Sequence, residues 1–299
     1  MDFKIGDDFD ENGNVNEHKV NKKMLIAIVA GISIVFGLLV FFVSNAILGG
    51  NKKDEPAVDT QVDLTDENVQ ILYKYVTYKD NGYGNDLLLK ETSVDNSKFT
   101  DEDKLYYALQ FLQPEDLLYN GKTNDNKQKI YNLSLSKVKD YLKRFFGTDI
   151  AFSPVKELTY KFTFTINNLG VAKLTYSEEE QLYNVVFNKE EPKKEEEIVQ
   201  PYYTELTSAT KKHDGTLILN EKVIYTTSSK ENDTYKINIY KDYDHTTILE
   251  AKQNITADDL KANPISIDKY IDRAATISYT FKVNSLNKNY YFYSSNITY

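Results

Sequence analysis

Few residues in this chain are suited to proton transfer or metal ligation. It has three histidines, His18, His213 and His245, and no cysteine. Thiolate nucleophiles, disulfides and Cys-ligated zinc are excluded together, and chemistry at a histidine would need a second ligand or an acid close by. None stands at a helical or hairpin spacing. His213 falls in the turn-like His213-Asp214-Gly215, and His245 follows the acidic Tyr240-Lys241-Asp242-Tyr243-Asp244. Asp8-Phe9-Asp10-Glu11-Asn12-Gly13 matches the first half of a calcium loop, with oxygen ligands at alternate positions and glycine sixth. Its twelfth position, where a bidentate carboxylate is required, is Lys19. Gly82-Tyr83-Gly84-Asn85 lacks the strand-to-helix setting of a phosphate loop, and nucleophile-elbow, P-loop and zinc-protease signatures do not occur. Two carboxylates facing across a cleft would suffice for glycoside hydrolysis, but the 45 acidic residues offer no pair singled out by spacing. The sequence therefore names no catalytic, cofactor-binding or metal-binding residue, and no cofactor is expected.

Tyrosine is the enriched type, with 24 copies that include Tyr202-Tyr203 and Tyr290-Tyr291-Phe292-Tyr293. Such rings could face a sugar or a protein surface, although alternate tyrosines of a strand divide between core and solvent for packing reasons alone. A formal charge of −9 argues against nucleic acid, because a nucleic-acid binder needs a basic stripe to displace counterions from phosphates. Of the 36 basic residues only Arg144 and Arg273 are arginine. That bias follows from AT-rich codon usage and carries no functional message.

The longest uncharged stretch decides where the chain sits. Met24 to Val43 is twenty residues, enough at about 1.5 Å each to cross a hydrocarbon core of about 30 Å. Its fourteen strongly apolar side chains, from Leu25 to Val43, are each worth roughly −0.3 to −0.6 kcal/mol near a helix centre. Signal-peptide cores are shorter, about 7–15 residues. Retention as an anchor is therefore favoured over cleavage after Ser44-Asn45-Ala46. Lys19, Lys22 and Lys23 before the run, against Lys52 and Lys53 after it, orient the N-terminus to the cytoplasm. Ala30, Ser33, Gly37 and Ser44 form a stripe of small residues on the same helix.

The chain then divides as follows: residues 1–23 a disordered cytoplasmic tail, 24–48 a transmembrane helix in the lipid bilayer, 49–64 a stalk, and 65–299 an extracytoplasmic domain. The acidic and basic run Glu190–Glu197 marks either a split near 190–200 or a hairpin tip within one sheet, the second being favoured.

Three helices are predicted. Val69, Leu72, Tyr73 and Val76 make one stripe, capped by Thr65 or Asp66. Leu105, Ala108, Leu109 and Leu112 make another, with Thr100 and Asp103 as a near capping box and Pro114 closing it. Leu135, Val138, Leu142 and Phe145 make the third, with Gly147 as a left-handed cap. From residue 158 the period becomes two. Tyr160, Phe162, Phe164 and Ile166 share one face, as do Tyr235, Ile237 and Ile239, and Ile277, Tyr279, Phe281 and Val283. Further strands are predicted at 171–176, 181–187, 202–210, 217–227 and 290–298, with short helical turns at 257–260 and 267–271. Helices first and a long meander after them predict an α+β fold, a cystatin-like roll or cone in which one curved antiparallel sheet wraps the helices.

The pairing of FFGTD (Phe145–Asp149) at a helix end with YTFKVNSLNKNYYFYSSNITY (Tyr279–Tyr299) resembles uncharacterised single-pass proteins of AT-rich Gram-positive bacteria. The similarity spans roughly residues 130–299 and implies an extracytoplasmic domain with no assigned activity. Taken together, the expectation is a membrane-anchored, extracytoplasmic binding or scaffolding domain, whose partner would be a cell-envelope protein or a glycan. The alternatives are a cell-envelope hydrolase using a carboxylate pair and a transmembrane sensor signalling through its tail.

Overall fold

The apolar stripes become helices in the computed structural model, which describes residues 58–76, 86–189, 199–285 and 287–299. Helix α1 (Glu67–Val76) is capped by Asp66, whose Oδ1 accepts from the Asn68 amide at 2.9 Å, and it buries Val69, Leu72 and Val76. A single turn, α2 (Leu87–Lys90), follows. Helix α3 (Asp101–Leu109) opens with the full capping box. The Asp103 amide donates to Thr100 Oγ1 at 3.1 Å, and the Thr100 amide donates to Asp103 Oδ2 at 2.8 Å. A cap of this kind stabilises a helix by about 1 kcal/mol. Helix α4 (Leu135–Phe146) starts at Ser134, whose hydroxyl accepts from the Lys137 amide at 3.2 Å, and buries Leu135, Val138, Leu142, Phe145 and Phe146.

Two antiparallel sheets account for most of the rest. The first contains β3 (Leu118–Thr123), β4 (Lys129–Ser134), β5 (Glu157–Ile166), β6 (Leu169–Ser177) and β7 (Leu182–Asn188), in the order β3-β4-β7-β6-β5. Asn167 and Asn168, at φ 52° and 63°, form the tight turn between β5 and β6. The second sheet contains β1 (Thr60–Val62), β2 (Ser93–Asp95), β8 (Tyr202–Lys211), β9 (Leu217–Glu231), β10 (Thr234–Tyr240), β11 (Ile248–Thr256), β12 (Ala275–Val283) and β13 (Tyr290–Thr298). Its main path is β1-β8-β9-β12-β13-β2, with β10 on the distal part of β9 and β11 on β10.

One continuous core joins these layers. Val69 of α1, Leu105 of α3, Phe145 of α4, Val185 of the first sheet and Phe281 of the second belong to the same buried cluster. Each such side chain stabilises the fold by about 1.5–3 kcal/mol through burial. A smaller cluster covers the opposite face of the second sheet. There Ile224, Ile237 and Ile239 meet Leu260 of α5 (Ala257–Ala262) and Ile267 and Tyr270 of the 3-10 turn that follows. Strand β9 is thus sandwiched from both sides, which is why Val223, Ile224, Tyr225 and Thr226 are buried in succession.

The expected α+β roll or cone, in which helices pack on one curved antiparallel sheet, is overturned. The described residues form thirteen strands and five short α-helices, the strands lying in two antiparallel sheets. A period of two tells which face of a strand is buried but not which strand lies beside it. Strands β7 and β8 are successive in sequence yet sit in different sheets. The strands flanking the charged run are thus not the two arms of one hairpin, the arrangement the sequence favours. Val58–Tyr299 forms one compact unit. The end of the expected stalk is a strand, Thr60–Val62 pairing with β8. The run itself, the tail 1–23 and the segment 24–48 lie outside the described residues. Among the described residues no helix is long and apolar enough to cross a membrane.

Candidate functional site

The sequence motifs FFGTD and YTFKVNSLNKNYYFY are far apart in the chain and meet in the structure. The last turn of α4 and the connection from β12 to β13 enclose a groove of about 270 Å³. Its chemistry follows from the amphipathicity of α4. The apolar stripe turns Leu142, Phe145 and Phe146 inward, which leaves Asp140, Lys143 and Arg144 exposed along the groove. Gly147 ends the helix in the left-handed conformation at φ 77°, which only glycine adopts without strain.

The opposite wall is held in place by hydrogen bonds. Asn284 donates its side-chain amide to the Gly147 carbonyl at 2.8 Å, tying the β12–β13 connection to the helix end. Within the connection the Asn284 amide donates to the Asn289 carbonyl at 2.8 Å, and the Asn289 amide donates to Asn287 Oδ1 at 3.0 Å. Beneath, Phe145 stacks on Phe292 with centroids 5.4 Å apart, and Phe99 meets both rings edge-on. Such aromatic pairs add about 0.5–1.5 kcal/mol each beyond burial and fasten α4 to β13 in the core.

Arg144 forms one shoulder. Its guanidinium lies 4.6 Å from the Phe111 ring centroid and donates to the Tyr75 hydroxyl at 3.0 Å. Burial raises the Tyr75 phenol above its ordinary pKa, while the guanidinium pulls it the other way. Lys143 lies 3.2 Å from Asp149. On its far flank α4 is pinned by Asp116, which accepts from the Tyr141 hydroxyl and pairs with Lys137 at 2.8 Å.

The residues singled out for chemistry are not brought together. His213 lies in the β8–β9 turn with Nδ1 3.7 Å from Asp59, and His245 packs on Tyr240 in the β10–β11 turn. His18, the Asp8–Gly13 stretch and Gly82–Asn85 lie outside the described residues. Among the described residues no three His, Asp or Glu side chains come together as a metal-ligand group. Tyrosines divide as packing requires. Tyr160, Tyr183, Tyr225, Tyr270 and Tyr279 are core residues, whereas Tyr290 and Tyr291 line the groove.

Sequence reasoning did not single out Asp140, Arg144, Asn287 or Asn289. The available signal was the polar side of the α4 stripe together with the asparagine-rich stretch before Tyr290. Glu221 was missed as well. It alternates with Leu217, Leu219, Val223 and Tyr225 on the core face of β9 and is fully buried. Tyr73 donates to its Oε1 at 2.5 Å and Tyr279 to its Oε2 at 2.7 Å. Asp242, also buried, accepts from the Thr246 and Thr247 amides at 2.8 and 2.7 Å. No protein-family model, curated protein or solved structure matches this chain.

Proposed function

We propose that this protein is a binding domain held on the outer side of a membrane by the apolar run 24–48, and that it engages its ligand in the groove between α4 and the β12–β13 connection. The observation that carries the reading is the groove's construction. Polar groups line a groove whose two walls are joined by the Asn284 to Gly147 hydrogen bond and, in the core, by the stack of Phe145 of α4 on Phe292 of β13. A site braced in this way loses little freedom on binding, which favours affinity. The anchor rests on the length and hydropathy of Met24–Val43, and the orientation on the lysines flanking it.

The carboxylate-pair alternative gains no support from the buried acids. Glu221 is enclosed by two tyrosine hydroxyls, Asp242 caps its own turn and Asp116 pairs with Lys137 and Tyr141. Each has a structural task away from the groove.

The natural absence of cysteine supplies the test. Single cysteines are placed at Asn14, at Asp125 in the exposed β3–β4 turn, and at Lys143 on the groove's rim, and intact cells are treated with an impermeant thiol reagent. Asp125→Cys is expected to react and Asn14→Cys only after lysis. Lys143→Cys is expected to react in purified protein but to be protected on cells by the bound ligand. Labelling of Asn14→Cys but not Asp125→Cys on intact cells would overturn the location. Equal labelling of Lys143→Cys and Asp125→Cys in both settings would overturn the groove.

A further inference from the structure

Building on the reading of the groove as a binding site, we propose that its ligand is an uncharged saccharide, gripped by a single sugar ring at the end or edge of a glycan.

Charge narrows the choice first. The carbonyl end of α4, the negative pole of its dipole, terminates at the groove, and Asp140 stands beside it. Against these are Arg144 and Lys143, the latter offset by Asp149 at 3.2 Å. Local charges nearly cancel, and the whole chain carries −9. A phosphate or polyanion would find no net attraction, so a neutral ligand fits best.

Hydrogen-bonding inventory narrows it further. The amides of Asn287 and Asn289 each offer donors and an acceptor, Asp140 offers acceptors only and Arg144 donors only. That mixture suits neighbouring hydroxyls, each of which must both give and receive a proton. Tyr290 and Tyr291 add aromatic surface to the same groove, against which the apolar C–H face of a pyranose can lie. The volume, about 270 Å³, is at the small end of ligand sites, which start near ~300 Å³, and so suits one ring rather than an extended chain.

The test is calorimetric titration of the full chain in detergent with cellotetraose, maltotetraose and chitotetraose. At least one is expected to bind with a Kd in the range of about 10 μM to 1 mM. Asp140→Ala and Asn287→Asp, the latter keeping the oxygen that accepts from the Asn289 amide, are both at exposed positions and are each expected to weaken that binding about tenfold without shifting the urea midpoint. Asp125→Ala, remote from the groove, is expected to leave it unchanged. Failure of all three saccharides to bind at about 10 mM, or binding that both groove substitutions leave intact, overturns the proposal. Should Lys143→Cys nevertheless be protected on cells, the binding site stands and its occupant is a peptide or protein instead.

Discussion

The ring of Tyr291 lies directly over Gly147: a Cβ built on the glycine would come within 2.3 Å of Tyr291 Cγ. This contact joins the end of α4 to β13 and fixes the width of the groove. Gly147→Ala must therefore meet two penalties, the left-handed backbone and the ring, for a total of about 2–4 kcal/mol. In a Tyr291→Ala background only the backbone penalty of about 1–2 kcal/mol is left. A urea double-mutant cycle reads the difference. Equal costs in both backgrounds would show that the ring does not press on the helix end.

The buried carboxylate of Glu221 depends on its two hydroxyl donors. Tyr279→Phe keeps the shape and removes one hydrogen bond to a group with no access to water, so it is expected to cost about 1.5–3 kcal/mol by chemical denaturation. Tyr73→Phe, on the less deeply buried helix side, is expected to cost less. A loss below about 0.5 kcal/mol for Tyr279→Phe would mean that the carboxylate is satisfied otherwise.

Stability should fall on the alkaline side. Burial raises the Tyr279 and Tyr73 phenols well above their ordinary pKa, with the Glu221 carboxylate adding to it, and burial does the same for Tyr107. Their unfolded counterparts ionise near pH ~10, so above that value the unfolded chain binds fewer protons and stability declines with pH. Below pH ~10 these groups contribute fully. Denaturation midpoints across this range are expected to drop, less steeply in Tyr279→Phe than in the natural chain. Phenolate absorbance that appears before unfolding would contradict the assignment of these rings to the core.

On the acid side the sign reverses. Burial pushes the Asp242 carboxyl up, but the Thr246 and Thr247 amides outweigh it and leave the pKa below its ordinary value. Asp116 is likewise raised by burial and lowered further by Lys137 and Tyr141. Both contribute stability that is complete above the unfolded pKa of ~3.9 and is lost as pH falls through the lower folded values. Asp242→Asn is expected to flatten the acid limb of the urea midpoint against pH. An unchanged limb would show that the turn does not depend on the carboxylate.

Much of the local structure was legible from the residues. The stripe from Leu135 to Phe145 and the glycine after it predicted α4 and its left-handed end, and alternation around Tyr279 and Ile237 predicted their strands. What was not legible was pairing. The sequence predicts no element at strands β3 and β4, in which Leu133 is the one buried residue. They exist because β7 offers an edge to pair with. The same lack of partner information concealed the second sheet.

The candidate site was half visible. FFGTD and the Asn- and Tyr-rich carboxy-terminal stretch stood out as a pair, yet nothing in their spacing said that Asn284 would reach the Gly147 carbonyl across 137 residues. Arg144 and Asp140 gain meaning only once that contact sets them beside Asn287. Glu221 could have been found from the alternation of Leu217, Leu219, Val223 and Tyr225, which places a carboxylate among core residues.

The most direct test of the account is co-sedimentation of the detergent-solubilised full chain with peptide-free cell-envelope glycan. The natural chain is expected to pellet with the glycan, and the Asp140→Ala, Asn287→Asp double variant, with an unchanged urea midpoint, to stay in the supernatant at about ten times the glycan needed. Equal sedimentation of the two, or none by either, would contradict recognition through this groove.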